Sequence, residues 1–177
     1  MTPLLARFDA RADAVLERFR GNRAVDRLMT TATHVGEFST VWHVAGVTRG
    51  VVTGRWDQTI ALAVGLGTES LAVNQVLKRM FRRPRPTRTG DERFEIRTPL
   101  TSSFPSGHAS AAAFAAITLV RWDGAKSAPL WVPLAATIAV SRAYVRIHHA
   151  SDVVGGLVVG AGFAAAARGV YRRFGIS

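Results

Sequence analysis

The sequence predicts an all-α integral membrane helix bundle of about five spans behind an N-terminal amphipathic helix, because apolar residues collect in blocks near the ~20 residues that cross a bilayer. Charges fall in the gaps between the blocks, and glycines and alanines recur inside them at spacings that let helices approach closely. The 177 residues read as one domain, 1–177, with an amphipathic segment over 1–27 and the principal bundle over 58–171.

Composition narrows the partners. A formal charge of +11 is compatible with nucleic acid, anionic lipid or a phosphorylated ligand. In a chain whose other parts are apolar spans, membrane lipids and phosphate are the better match, and no nucleic acid is expected. No cysteine is present, so disulfide and thiolate chemistry are excluded. Met1 to Arg23 mixes arginine with acids and has no signal-peptide core, so insertion rests on the internal segments.

The elements follow in order. Leu4, Leu5, Phe8, Ala12, Val15, Leu16 and Phe19 recur at helical spacing over residues 3–20, an amphipathic helix suited to the membrane interface or to an ordinary protein surface. Met29 to Val47 is the weakest span, because His34, Glu37 and His43 interrupt it and must form an inward polar face. Arg49 to Asp57, with Gly50 and Gly54, reads as a loop. Gln58 to Val76 is a stronger span, and Lys78 to Ser103 is a long basic connection broken by Pro84, Pro86 and Pro99. Ser106 to Trp122, Trp131 to Val145 and Asp152 to Tyr171 complete the bundle.

Three short pieces beside those spans carry the chemistry. In the first, Lys78 and Arg85 offer a compact charge and a planar fork, both suited to phosphate, although a lipid-headgroup patch has the same composition. In the second, Pro105-Ser106-Gly107-His108 opens a helix whose free N–H groups at Ser106 and Gly107 can receive an anion, with His108 placed to give a proton to a leaving oxygen. In the third, Arg142 adds another fork, and His148 and Asp152 stand four apart, sharing a face if helical. A carboxylate bonded to one ring nitrogen leaves the other free to attack phosphorus. Asp152 could equally be a helix cap.

Lys78-x6-Arg85-Pro86, Pro105-Ser106-Gly107-His108 and Ser141-Arg142-x5-His148-x3-Asp152 together resemble the three-part signature of the type 2 phosphatidic acid phosphatase superfamily, membrane lipid phosphatases related to vanadium haloperoxidases. The resemblance covers Gln58 to Tyr171. It implies a phosphatase that needs no metal or cofactor and acts on a lipid phosphate or diphosphate: a polyprenyl (di)phosphate, phosphatidylglycerophosphate, phosphatidic acid or a prenyl-linked sugar phosphate. It implies that His148 forms a phosphohistidine, that Asp152 holds its ring and that His108 protonates the leaving group. Lys78, Arg85 and Arg142, with Ser106 and Gly107, would then bind the phosphate oxygens. It also implies a site on the outer face of a bacterial cell membrane, which would place Arg49, Arg55, Arg121, Lys126, Arg172 and Arg173 inside, in accord with the positive-inside tendency; if Met29 to Val47 spans, the arginine-rich N-terminus would then lie outside, so either that segment is re-entrant or the site faces the cytoplasm.

A vanadate-dependent haloperoxidase would use the same anion site, and a non-catalytic module binding anionic lipid or nucleic acid would use the same charges. Peroxide-dependent halide oxidation would identify the first, and binding that survives loss of His108, His148 and Asp152 the second. Arg79, Arg82 and Arg83 read as headgroup or substrate contacts, His149 as structural, and Tyr144 and Arg146 as lining residues.

Overall fold

The computed structural model describes residues 2–87, 91–94, 96, 99 and 101–176. Among these it contains helices and no strand: α1 (Pro3–Glu17), α2 (Arg23–Val35), α3 (Thr40–Thr53), α4 (Trp56–Met80), α5 (Gly107–Asp123), α6 (Ala128–Tyr144) and α7 (Ala150–Arg173). The expected all-α class is what forms. α4 and α7 are long and apolar enough to cross a membrane, and their outward side chains, including Ile60, Val64 and Leu71 on α4 and Val154 and Val158 on α7, are exposed.

α5 is the axis. Ala109 to Ala116 are all buried, as befits a helix that is apolar on every side. α7 and α6 pack most heavily against it, and α4 joins them through Leu62 and Leu66 against Phe114. The α5–α7 contact is close because α7 is glycine-rich where the helices meet. A Cβ on Gly160 would collide with the Ser110 carbonyl, and one on Gly156 with the Ser106 carbonyl. α4 passes through a π-helical turn at Ala72–Leu77 immediately before Lys78, changing the phase of the residues that follow.

Three local expectations change. The doubtful span at Met29 to Val47 is two helices, α2 and α3, separated by a 3₁₀ turn at Glu37–Ser39 in which Phe38 and Ser39 are left-handed (φ 51° and 58°). The break turns Thr33 inward, where its hydroxyl donates to Ser141 Oγ at 2.9 Å, and leaves His34 and His43 exposed and Glu37 half-buried. The expected inward polar face of those three residues therefore does not form. Arg49 to Asp57 is mostly helix, since α3 runs to Thr53 and ends at a left-handed Gly54 (φ 71°). Gly50 lies inside α3 and lets Thr59 of α4 approach, and the Thr59 hydroxyl donates to the Gly46 carbonyl at 2.8 Å. Lys78 belongs to the last turn of α4, so the basic connection begins at Phe81; within it, 88–90, 95, 97, 98 and 100 lie outside the described residues.

Candidate active site

Helix direction gathers the three pieces. The C-terminal ends of α4 and α6 and the N-terminal ends of α5 and α7 meet at one end of the bundle, bringing Lys78, Arg142, Ser106–His108 and Asp152 together. Main-chain bonds hold the junctions. The Ser106 N–H donates to the Asp152 carbonyl at 3.0 Å, tying the start of α5 to the first turn of α7. After α6 the chain reverses through a left-handed Arg146 (φ 55°), and the N–H groups of Ile147 and His148 both donate to the Arg142 carbonyl, at 3.2 and 3.1 Å. That reversal sets His148 beneath Arg142. Lys78 Nζ lies 3.7 Å from the place a Cβ on Gly107 would occupy, which puts the ammonium beside the α5 terminus.

The site is buried, with Arg142 1%, His148 3% and Lys78 8% exposed. Buried donors should have acceptors. Among the described residues, none meets Arg142 Nε or Nη1, and none meets His108 Nε2, although the Thr33 backbone bonds the His108 ring. A buried guanidinium with two unmet donors, beside an ammonium and a helix N-terminus, is complementary to a tetrahedral anion. Burial pushes the His148 imidazole down to about 3; Asp152 pulls it up, and Arg142, Arg85 and Lys78 push it further down. The ring is therefore neutral at pH 7, the form in which a nitrogen can attack.

Several expected roles acquire different geometry. His148 and Asp152 do not share a helix face, because His148 precedes the N-cap of α7, which is His149. Asp152 is at N3 and accepts from the His149 N–H at 2.8 Å, a capping box that swings its carboxylate back toward the turn. Its Oδ2 then lies 3.8 Å from His148 Nδ1. The Ser106 N–H is not free for an anion, being engaged with Asp152; the N–H groups of Gly107 and His108 are the ones at the open end of α5. Arg85 is within reach, with Nη1 3.4 Å from His148 Nε2, but it is pinned by carbonyls at Pro99 (2.9 Å), Ile147 (3.0 Å) and Thr101 (3.1 Å). Arg142 is the fork with donors to offer.

Other groups have no signal in the spacing. Ser103 donates its hydroxyl to Asp152 Oδ2 at 2.5 Å, and Arg83, expected as a headgroup contact, donates to Asp152 Oδ1 at 2.5 Å. Arg146 does line a cavity of about 280 Å³ beside His148, walled also by Asp9, Asp13 and His149. Tyr144 does not: its hydroxyl donates to Asp26 at 2.5 Å, on the α2 side. Among the described residues no group of His, Cys, Asp or Glu is arranged to hold a metal ion.

A bundle with outward apolar faces and a buried cationic pocket beside histidine and aspartate has the arrangement that a membrane protein acting on a phosphate ester needs. The fold is shared with the transmembrane PAP2-type phosphatidylglycerolphosphate phosphatase of Bacillus subtilis, at a TM-score of 0.73 and 24% identity over 97% of this chain and 88% of that one. The decaprenylphosphoryl-5-phosphoribose phosphatase of Mycolicibacterium smegmatis is 36% identical over 149 residues, 84% of this chain and 80% of its own. Its counterpart in Mycobacterium tuberculosis is 31% identical over 142 residues, 77% and 78% of the two chains. Residues 58–175 match the PAP2 superfamily model, and the chain belongs to that superfamily.

Proposed function

We propose that this protein is a phosphatase of the bacterial cell membrane that removes phosphate from a prenyl-linked sugar phosphate. The buried Arg142 fork beside a neutral His148 carries the phosphatase reading. His148 Nε2 attacks phosphorus in line, forming a P–N bond as the P–O bond to the leaving group breaks. His108, its ring held by the Thr33 backbone, must take up a proton with the substrate to give one from Nε2 to the departing sugar oxygen. A water molecule then attacks the phosphohistidine, returns a proton to His108 and releases inorganic phosphate. Lys78, Arg142 and the Gly107 and His108 N–H groups stabilise the equatorial oxygens; Arg85 contributes charge, and Asp152 holds the attacking ring.

In this reading the leaving group occupies the cavity beside His148. Ala6, Ala10, Leu16, Pro86 and Ala143 line it together with Asp9, Asp13, Arg146 and His149, so it gives space beside the nucleophile, and the sugar itself is suggested by the mycobacterial relatives, which carry a phosphoribose in their names. We take the site to face outward, which makes the helix ends with Arg49, Arg55, Arg121, Lys126, Arg172 and Arg173 cytoplasmic, although the connection on the site side, with Arg79, Arg82, Arg83, Arg85 and Arg93 among the described residues, is basic as well.

The test is phosphate release by detergent-purified protein from a panel of prenyl-linked sugar phosphates, prenyl diphosphates, phosphatidylglycerophosphate and phosphatidic acid, with EDTA present and His148→Ala alongside. Release from the sugar phosphates, lost in the variant and indifferent to EDTA, is expected. Preference for phosphatidic acid would overturn the substrate assignment, and halide oxidation with peroxide but no phosphate release would overturn the reaction.

A further inference from the structure

α1 is built inside out. Leu4, Leu5, Phe8, Val15 and Phe19 are exposed, while Asp9 is buried and Asp13 half-buried against the protein. A surface helix ordinarily seats on its apolar stripe; this one seats on Leu16 and on carboxylates. The outward face, flanked by exposed Arg7, Arg11 and Arg18, suits the lipid interface.

The inward contacts converge on the site. Asp9 Oδ1 accepts from the Ser151 N–H at 2.8 Å, and Oδ2 accepts from the Ser151 hydroxyl at 2.9 Å and from Arg83 Nη2 at 2.6 Å. The other amino group of the same guanidinium, Nη1, donates to Asp152 Oδ1 at 2.5 Å and to Ser151 Oγ at 2.8 Å. One arginine therefore bridges a carboxylate of the amphipathic helix and the carboxylate beside His148. Asp9 has no part in the proposed phosphate chemistry, yet it is buried and fully bonded.

Resting on the reading of Asp152 as the partner of His148, we infer that Asp9 is a positioning residue of the active site, acting through Arg83. With both ends of the guanidinium held, Asp152 Oδ1 is fixed, and Oδ2 is left to Ser103, the His149 N–H and the His148 ring. Release of Arg83 from Asp9 frees the carboxylate to rotate and loosens the nucleophile. The same helix walls the cavity beside His148 through Ala6, Asp9, Ala10 and Asp13.

The experiment is a mutant cycle on full-length protein, assayed with whichever lipid phosphate the wild type hydrolyses: Asp9→Asn, Arg83→Lys, both together, and Asp9→Glu. Lysine keeps the charge but cannot bridge two carboxylates at fixed angles. Asp9→Asn should lower kcat by about 10–100-fold, the usual range for groups that orient a reacting residue, with KM little changed. The double variant should be no slower than Arg83→Lys alone, because the two act in series, and Asp9→Glu should recover part of the loss. Losses that multiply, a raised KM at unchanged kcat, or wild-type turnover in Asp9→Asn would each overturn the inference. Should Asp9→Asn fail to fold, the cycle runs with Asp9→Glu, to the same criterion of non-additivity. Absent turnover in the wild type, or full turnover in His148→Ala, would strike the phosphatase reading instead.

Discussion

Arg142 illustrates how much a single buried side chain can specify. Its charge alone would be met by lysine, but two of its guanidinium nitrogens, Nε and Nη1, which donate toward different edges of the plane, have no acceptor among the described residues. Arg142→Lys should therefore cost about 10²–10³-fold in kcat/KM, the range for removing one donor to a developing charge. Arg79 is exposed and bonded to Gln75 at 2.6 Å, so Arg79→Ala should change turnover little; steady-state kinetics on the two variants compares them directly. His148→Ala should leave no turnover above background. Asp152→Asn, which cannot hold the ring in the same way, should lose on the order of 10²–10⁴-fold in kcat. These residues were legible in the sequence because each lies in a short piece whose internal spacing carries the chemistry. Asp9 and Ser151 are 142 positions apart, and no local pattern announces their bond.

At the scale of the helix, α1 is an acid-labile joint. Glu17 is held down to about 2 by Arg93 and then Arg20, and Asp91, also paired with Arg93, is held to about 2. Asp91 and Arg93 lie on one segment and stay paired whether or not α1 is docked, whereas Glu17 of α1 is held below the value of the free carboxylate from outside its helix by Arg93 and Arg146, so the undocked form binds more protons at Glu17 and docking is favoured at higher pH. The contribution is complete above about pH 4.5 and disappears as pH falls toward 2. Because the protein has no cysteine, a spin label on Val15→Cys reports α1 alone. Its mobility should rise over that window and stay flat between pH 5 and 8; a change centred near 6.5 would implicate a histidine instead. α7 offers a second case. Gly160→Val would press on the Ser110 carbonyl, and thermal unfolding in detergent should report a loss of about 1–3 kcal/mol, the range for overpacking.

Over the whole molecule, the helical class and the ends at which the site assembles follow from the apolar blocks and the position of each motif beside one. The path from α2 into α3 does not follow in the same way. Two histidines and a glutamate in an apolar run read as an inward polar face, but the turn at Glu37–Ser39 leaves His34 and His43 exposed, while Glu37 stays half-buried and Thr33 bonds Ser141. A Cβ on Gly36 would lie 2.9 Å from His108 Cδ2, so the chain passes close against α5 just before that turn. α5 shows what such tertiary constraint does for function. Having almost no surface of its own, it cannot respond to lipid directly, and the Ser106–Asp152 bond makes the first turn of α7 move with it. Bilayers of different thickness would tilt the outer helices; the start of α5 and Asp152 stay tied through that bond, while Lys78, at the end of α4, is the group a tilt would move. Half of the pocket is thus hung from the best-insulated part of the bundle, and the other half is carried by a helix whose outer face is apolar and exposed.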